Sequence, residues 1–329
     1  MAFSHSVERR RGNWLKYSVV VPARNAAGFL STALASIHAQ TLQPEAIIVV
    51  DDGSSDATAE IAASCGAVVI SNQTARGPSA ARNIGVYATS TELIAFLDAD
   101  DEWTPEHAAL TVAQHSREGV VFSAGRAVLF GSESCQVPVI YDGVELVDLR
   151  DALVVENPVI QSGVVINRIA FYKAGGYDES MRLAEDYDLW WRVAEVGLFA
   201  PVVSTTVRRR IHAEQASSLL PSGMVGAAWL VRRRATLRAW SSFDEKQRSN
   251  RVDLLCRAAR LDLKWAVWTG VPAMLSLVRN ELMETDRALG LQGRLANLGG
   301  ASRFVTKITQ DFCCRAYGVR DHLRAKASG

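Results

Sequence analysis

Short apolar runs alternate with amphipathic segments through the first hundred residues. Tyr17–Pro22 (YSVVVP) is β-branched and apolar, the pattern of a strand buried on both faces. Phe29–Ala39 sets Leu30, Leu34 and Ile37 at helical spacing, and Ala46–Val50 (AIIVV) predicts a second buried strand. Ser55 or Asp56 is placed to cap a helix containing Ala57, Ile61 and Ala62. Ala67–Ile70 reads as a third strand, Pro78–Ala88 as a helix of small residues, and Leu93–Leu97 as a fourth strand running into Asp98. Pro105 stands where the next helix is expected to start. This order predicts an α/β fold with a mostly parallel sheet covered by helices on both faces. Ligands of such sheets bind at the carboxyl ends of the strands. Three polar clusters fall there: Pro22-Ala23-Arg24-Asn25, Asp51-Asp52-Gly53-Ser54 and Asp98-Ala99-Asp100-Asp101.

From about residue 119 to 210 strands (Val120–Phe122, Gly163–Asn167) mix with helices. After His212 the chain turns to Ala, Leu, Arg and Trp at helical spacing with no clear strand. The expected division is a tail over 1–16, an α/β domain over 17–214 and a helical region over 215–329. The first 18 residues carry charges but no apolar core of the leader type. The apolar stretches Ser217–Val231 and Trp265–Val278 fall short of the roughly 18 to 20 residues that span a bilayer. Trp229, Trp240, Trp265 and Trp268, with the basic runs Arg208–Arg210 and Arg232–Arg234, fit either packing of the helices or peripheral contact with a membrane surface.

The net charge of +1, from 36 basic and 35 acidic residues, gives no electrostatic case for a nucleic-acid partner, so an anionic ligand needs local charges. The five cysteines, odd in number and without metal-type spacing, point to a reduced compartment, and a cytoplasmic location is expected.

Asp98-x-Asp100 offers two carboxylates in a loop, a donor type suited to Mg²⁺ or Mn²⁺. By itself the pair is equally a solvated turn. Its company changes that reading. VVVPARNAAGFLSTALASIHAQTLQPEAIIVVDDGSSDAT and GPSAARNIGVYATSTELIAFLDADD resemble the opening half of glycosyltransferase family 2. LAEDYDLWWRVAEVG (183–197) is similar to that family's acidic acceptor motif, and RRIHAEQAS (209–217) to its R-x-H element. The resemblance covers about residues 17–217 and implies a GT-A fold, a Rossmann-like mixed sheet flanked by helices, here followed by a helical extension. It implies an inverting transferase moving a sugar from a nucleotide diphosphate donor, UDP by preference, to the hydroxyl of a sugar, lipid-linked sugar or protein, in cell-surface polysaccharide or glycoconjugate synthesis.

By position, Pro22, Arg24 and Asp52 would line the base pocket, although Arg24 stands where family members usually carry Tyr. Asp98 would meet the ribose, and Asp100 with His212 would hold the divalent metal. Arg76, Arg82 and Arg210 would lie at the donor edge. Arg82 is expected to act structurally, because a helical Ala-Arg-Asn segment can bury its guanidinium against carboxylates. Asp186 would take the acceptor proton, with Glu185 as the alternative; a carboxylate in a helix's first turn stays ionised, as a general base requires. A dinucleotide-dependent oxidoreductase would need G-x-G-x-x-G after strand one, which Pro22–Asn25 does not supply. A sugar nucleotidyltransferase would need a Gly-rich basic loop there. A non-catalytic nucleotide-sugar-binding module is the remaining alternative.

Overall fold

The computed structural model describes residues 15–131, 135–136, 149–212, 221–269 and 272–300. The contacts divide the chain into two units. The first comprises Met1–Asp148, Val159–Glu179 and Val193–Ile211; the second comprises Leu149–Pro158, Ser180–Arg192 and His212–Gly329.

The first unit holds a nine-stranded sheet among the described residues. Its strands are β1 (Tyr17–Ala23), β2 (Ala46–Asp51), β3 (Val68–Ser71), β4 (Leu93–Phe96), β5 (Glu102–Trp103), β6 (Val120–Gly131), β7 (Cys135–Gln136), β8 (Val164–Asn167) and β9 (Leu198–Ile211). The order is β3-β2-β1-β4-β8-β6-β9-β5, with β7 pairing β6 off that path. The β3-β2-β1-β4 half is parallel, as expected of strands separated by helices. β8 is antiparallel to β4 and β6, and β5 is antiparallel to β9. Val19, Val20 and Val21 are all inaccessible to solvent. That explains why this strand reads as a continuous apolar run.

Helices α1 (Leu30–His38), α2 (Thr58–Ser64), α3 (Pro78–Tyr87) and α4 (His107–Gln114) cover this sheet. Leu30, Leu34 and Ile37 of α1 are buried, as the spacing predicted. The small residues of α3 have a packing reason: a Cβ on Gly85 would lie 2.3 Å from Cγ1 of Val20. Two predicted starts shift. Helix α4 begins at His107 instead of Pro105, because the carbonyls of Thr104 and Pro105 are held by the end of α1, through Gln40 Nε2 at 2.8 Å and the Thr41 amide at 2.8 Å. The N-cap of α2 is Ala57 and receives no side-chain bond. Asp56 instead accepts from the Thr58 amide at 3.1 Å and from the Ala27 amide at 3.1 Å, tying the loop after β1 to the loop after β2.

Helix α5 (Arg150–Val155) lies in the second unit, as does most of α7 (Glu185–Ala194). The unit continues with α8 (Pro221–Trp240), α9 (Glu245–Thr269), α10 (Pro272–Leu289) and α11 (Ala296–Gly300); α6 (Arg168–Lys173) belongs to the first unit. Trp229 is fully buried beside the Arg232 guanidinium, whose centre lies 5.1 Å from its ring. That tryptophan belongs to the core of its unit. The side chains of Trp265 and Trp268 lie outside the described residues. No helix among the described residues is long and apolar enough to cross a membrane.

Two core histidines make the first unit acid-sensitive. His107 is wholly buried, meets the Thr206 hydroxyl at 2.8 Å and stacks on Trp103. His115 faces the Val165 carbonyl at 3.2 Å. Burial lowers the first to about 3 and the second to about 4. The unfolded chain takes up these two protons near pH 6.5 and the folded chain does not, so acidification below 6.5 costs stability. Asp101, raised by burial and its acidic neighbours, works in the opposite sense over the same range, so a net of one proton remains. Urea unfolding of the first unit should therefore lose on the order of 1 kcal/mol per pH unit between pH 6.5 and 4.5. A flat profile there would refute it, and His115→Gln should flatten the slope.

Candidate active site

The carboxyl edge of β1, β2 and β4 is built from three interlocked loops. After β1 the chain enters a left-handed turn at Asn25, with φ of 49°. The Asn25 side chain accepts the Ser55 amide at 2.9 Å, and its own amide donates to the Ser54 hydroxyl at 2.9 Å. A non-glycine residue in that region is sparsely populated and persists where its surroundings over-determine it. Pro22 is half-buried and Arg24 exposed at this edge.

After β2, Gly53 has φ of +71°, and a Cβ there would lie 2.9 Å from the Ala75 amide nitrogen. Only glycine lets the 72–77 segment approach this closely. Asp52, 4% exposed, then organises that segment. Its carboxylate accepts Asn72 Nδ2 at 2.8 Å, the Arg76 amide at 2.9 Å and the Gly77 amide at 2.8 Å. The residue expected to meet a nucleotide base thus also builds the wall next to it. The Arg76 guanidinium pairs with Glu179 at 3.1 Å on the surface.

The Asp98–Asp101 loop after β4 is held from three sides. Arg82 of α3, 5% exposed, pairs with Asp98 at 2.8 Å, the structural role its setting predicted. The Ser162 hydroxyl accepts the Asp98 amide at 3.2 Å and donates to Asp101 at 2.5 Å; the Ser162 carbonyl accepts the Trp103 indole N–H at 2.6 Å. From β9, the Arg210 amide donates to Asp101 at 2.8 Å, its Nε to the Asp100 carbonyl at 3.0 Å, and its Nη2 to Glu102 at 2.8 Å. Arg210 also lies over Phe130 at 4.4 Å and Phe29 at 5.2 Å. The R-x-H strand therefore runs directly beside the acidic loop, with Glu102 opposite Arg208 in the β5–β9 ladder. His212 is the first residue beyond β9.

Asp101 is 3% exposed. Burial first, then the charges of Asp100 and Asp98, push it up to about 8. The acids of this short loop thus disfavour one another's ionisation, a crowding that a cation beside them would relieve. Among the described residues no group of three or more His, Cys, Asp or Glu side chains is arranged to hold a metal unaided. Half-buried Asp100 is a carboxylate of the donor type that suits Mg²⁺ or Mn²⁺, ions that take one or two protein carboxylates where phosphates and water complete the shell.

In the second unit, helix α7 opens with Glu185, Asp186 and Asp188, the acids favoured by a helix N-terminus. Ala184 just before it has φ of 57°. Asp188 is committed to Arg192 at 2.6 Å. Glu185 and Asp186 are half-buried, and Asp186 accepts Asn157 Nδ2 at 3.1 Å. Sequence patterns gave no role to Ser162, Glu102 or Asn157, because each acts through a partner distant in the chain.

Residues 18–138 match the model of glycosyl transferase family 2. Over these residues the chain is similar to glycosyltransferase family 2. It is 31% identical over 191 residues to the pre-mycofactocin glycosyltransferase of Mycobacterium tuberculosis, covering 55% of this chain and 39% of that protein. It is 30% identical over 204 residues to the succinoglycan biosynthesis protein ExoU of Rhizobium meliloti, covering 54% of this chain and 57% of that one. The chain thus spans 39% and 57% of these relatives' lengths. Among solved structures, S. aureus TarS 1-349 in complex with UDP-GlcNAc superposes with a TM-score of 0.69 at 16% identity, over 90% of this chain and 91% of that one. The fold is that of the GT-A glycosyltransferases, with a helical C-terminal part.

Proposed function

We propose that this chain is an inverting glycosyltransferase that uses a nucleotide diphosphate sugar, preferably a UDP-sugar, in the synthesis of a surface polysaccharide or glycoconjugate. The observation that carries the reading is the Asp98–Asp101 loop, fixed by Arg82, Ser162 and Arg210 at the carboxyl edge of a family 2 sheet. Residues 17–214 would form the catalytic domain and 215–329 a helical region. Its acceptor would be a sugar, a lipid-linked sugar or a protein, met in the cytoplasm or at the inner membrane face, with peripheral contact through the C-terminal helices.

In this reading Pro22, Arg24 and Asp52 border the base, with Arg76 at the same edge, and Asp98 meets the ribose. Asp100 and His212 would hold Mn²⁺ or Mg²⁺, and the ion would supply charge stabilisation for a diphosphate leaving group. The acceptor oxygen attacks the anomeric carbon opposite the diphosphate, its proton passes to Asp186, and the bond from the anomeric carbon to the diphosphate oxygen breaks. No covalent sugar–enzyme bond forms, so configuration inverts. The rigid frame around the acidic loop supplies positioning before the reaction starts.

The test is donor turnover. The full chain with Mn²⁺ should release UDP from one of UDP-glucose, UDP-galactose or UDP-GlcNAc, and anomeric proton couplings should show an inverted product. Retained configuration would exclude single displacement. No UDP release from any donor, with or without a cell lipid extract as acceptor source, would favour a binding module.

A further inference from the structure

The segment before the 3₁₀ turn at Gln161–Gly163 carries a residue that the family motifs do not single out. Asn157 donates through Nδ2 to Asp186 Oδ2 at 3.1 Å, while Asp186 Oδ1 accepts the Tyr187 amide at 2.7 Å. Both carboxylate oxygens are thereby oriented. Asn157 is itself anchored by the chain around it. The Leu153 carbonyl accepts the Tyr187 hydroxyl, and the Val155 carbonyl accepts Arg232 Nη2 at 2.8 Å. Arg232, 3% exposed, lies over the Tyr187 ring at 5.9 Å and pairs with Asp262 at 2.7 Å. The first turn of α7 and the 153–157 segment are thus joined by two direct contacts, one buried at Tyr187 and one at the carboxylate, and Arg232 of α8 braces both. Ala184, 4% exposed in a left-handed conformation, turns the chain into this helix. That conformation is sparsely populated by non-glycine residues and is kept where surrounding structure enforces it.

We infer that Asn157 is a positioning residue for Asp186: it fixes the rotamer of the carboxylate and donates a hydrogen bond that favours the ionised form. The inference rests on Asp186 being the general base proposed above. An amide donor suits this place because it stays neutral. A lysine ammonium there would lower the carboxylate's affinity for the proton it must take, and a second carboxylate would repel its charge.

The experiment compares Asn157→Ala, Asn157→Asp and Asp186→Asn in the full chain. The rate is UDP release to water from the UDP-sugar that the wild type turns over fastest, with Mn²⁺. Asn157→Ala should lower kcat roughly tenfold, the scale of one hydrogen bond to a charged group, and leave KM for the donor unchanged. Asn157→Asp keeps the shape and adds a like charge, so the acid limb of its kcat profile should move to higher pH. A readout that needs no turnover accompanies it. In urea, Asn157→Asp should lose stability relative to wild type as pH rises from 4 to 6, when both carboxylates ionise. With Asp186→Asn in the background, Asn157→Ala should cause no further loss of rate. Unchanged kcat and pH profile in both Asn157 variants, with Asp186→Asn inactive, would overturn the role of Asn157 alone. Full turnover by Asp186→Asn, or no UDP release by the wild type, would overturn the reading beneath it and this inference together. A urea profile of Asn157→Asp parallel to wild type would remove the contact itself.

Discussion

Asp186→Asn is expected to cut sugar transfer by roughly 10²–10⁴, the usual cost of losing a positioned general base. Nucleoside diphosphate affinity should be unchanged. The substitution preserves shape, so the Asn157 and Tyr187 amide contacts have a partner of the same size. Proton affinity is what disappears. Glu185→Gln should cost less, because two neighbouring first-turn residues differ by about 100° around a helix and only one can face an acceptor hydroxyl. Both carboxylate oxygens of Asp186 are oriented by neighbours, Asn157 and the Tyr187 amide. Calorimetric titration with UDP and Mn²⁺ separates the two sites. A large loss of nucleotide affinity in folded Asp186→Asn would move that residue to the donor side. A larger rate loss for Glu185→Gln than for Asp186→Asn would transfer the role to Glu185.

The parallel half of the sheet was legible because β1, β2 and β4 are short, apolar and buried on both faces, while α1 shows one apolar stripe. The long β6–β9 pair was not. Those strands are interrupted by register shifts near Gly125 and Arg126, and β9 alternates between buried and exposed positions that also suit a loop or a helix end. Strand β5 has two residues and gives no periodic signal at all. The same contrast holds in the candidate site. Asp52, Asp98 and Asp100 stand out because acids cluster at strand ends. Arg82 was expected to pair with carboxylates because it sits in a helical Ala-Arg-Asn segment, and it meets Asp98. Ser162 lies in an apolar stretch, and its link between the Asp98 amide and Asp101 appears only when β8 is laid against β4. Asp101 is visible as the third acid of a run, but its burial depends on Arg210, more than a hundred positions away. The second role of Asp52, holding the 72–77 segment, depends on a turn that Gly53 permits and no spacing encodes.

Removal of divalent metal should abolish turnover, and two neighbouring aspartates should fail in different ways. Asp98 neutralises a guanidinium that is almost wholly buried. Asp98→Asn leaves the Arg82 charge without its partner, and breaking a buried pair in this way costs about 3–5 kcal/mol. Because the Asp98 side chain is 30% exposed, the lower end of that range or less applies. A depressed melting temperature, seen without any ligand, is the expected result. Asp100 lies on the same loop, but its backbone carbonyl is the part that Arg210 holds at 3.0 Å. Asp100→Asn should therefore leave the melting temperature close to wild type. It should also relieve the crowding that raises Asp101, since one of the two neighbouring charges is gone. What it should lose is the response to Mn²⁺. Metal assistance is worth several kcal/mol at the leaving group, and each 1.36 kcal/mol is a factor of ten, so a fall of roughly 10²–10³ in UDP release is expected at fixed Mn²⁺, partly recovered as Mn²⁺ is raised. Melting curves and Mn²⁺ titrations on both variants distinguish the roles. Full activity of the wild type after exhaustive chelation would remove the metal from the reaction. A large stability loss in Asp100→Asn, with its Mn²⁺ response intact, would show that this carboxylate serves the loop and that the cation, where bound, is held by other groups.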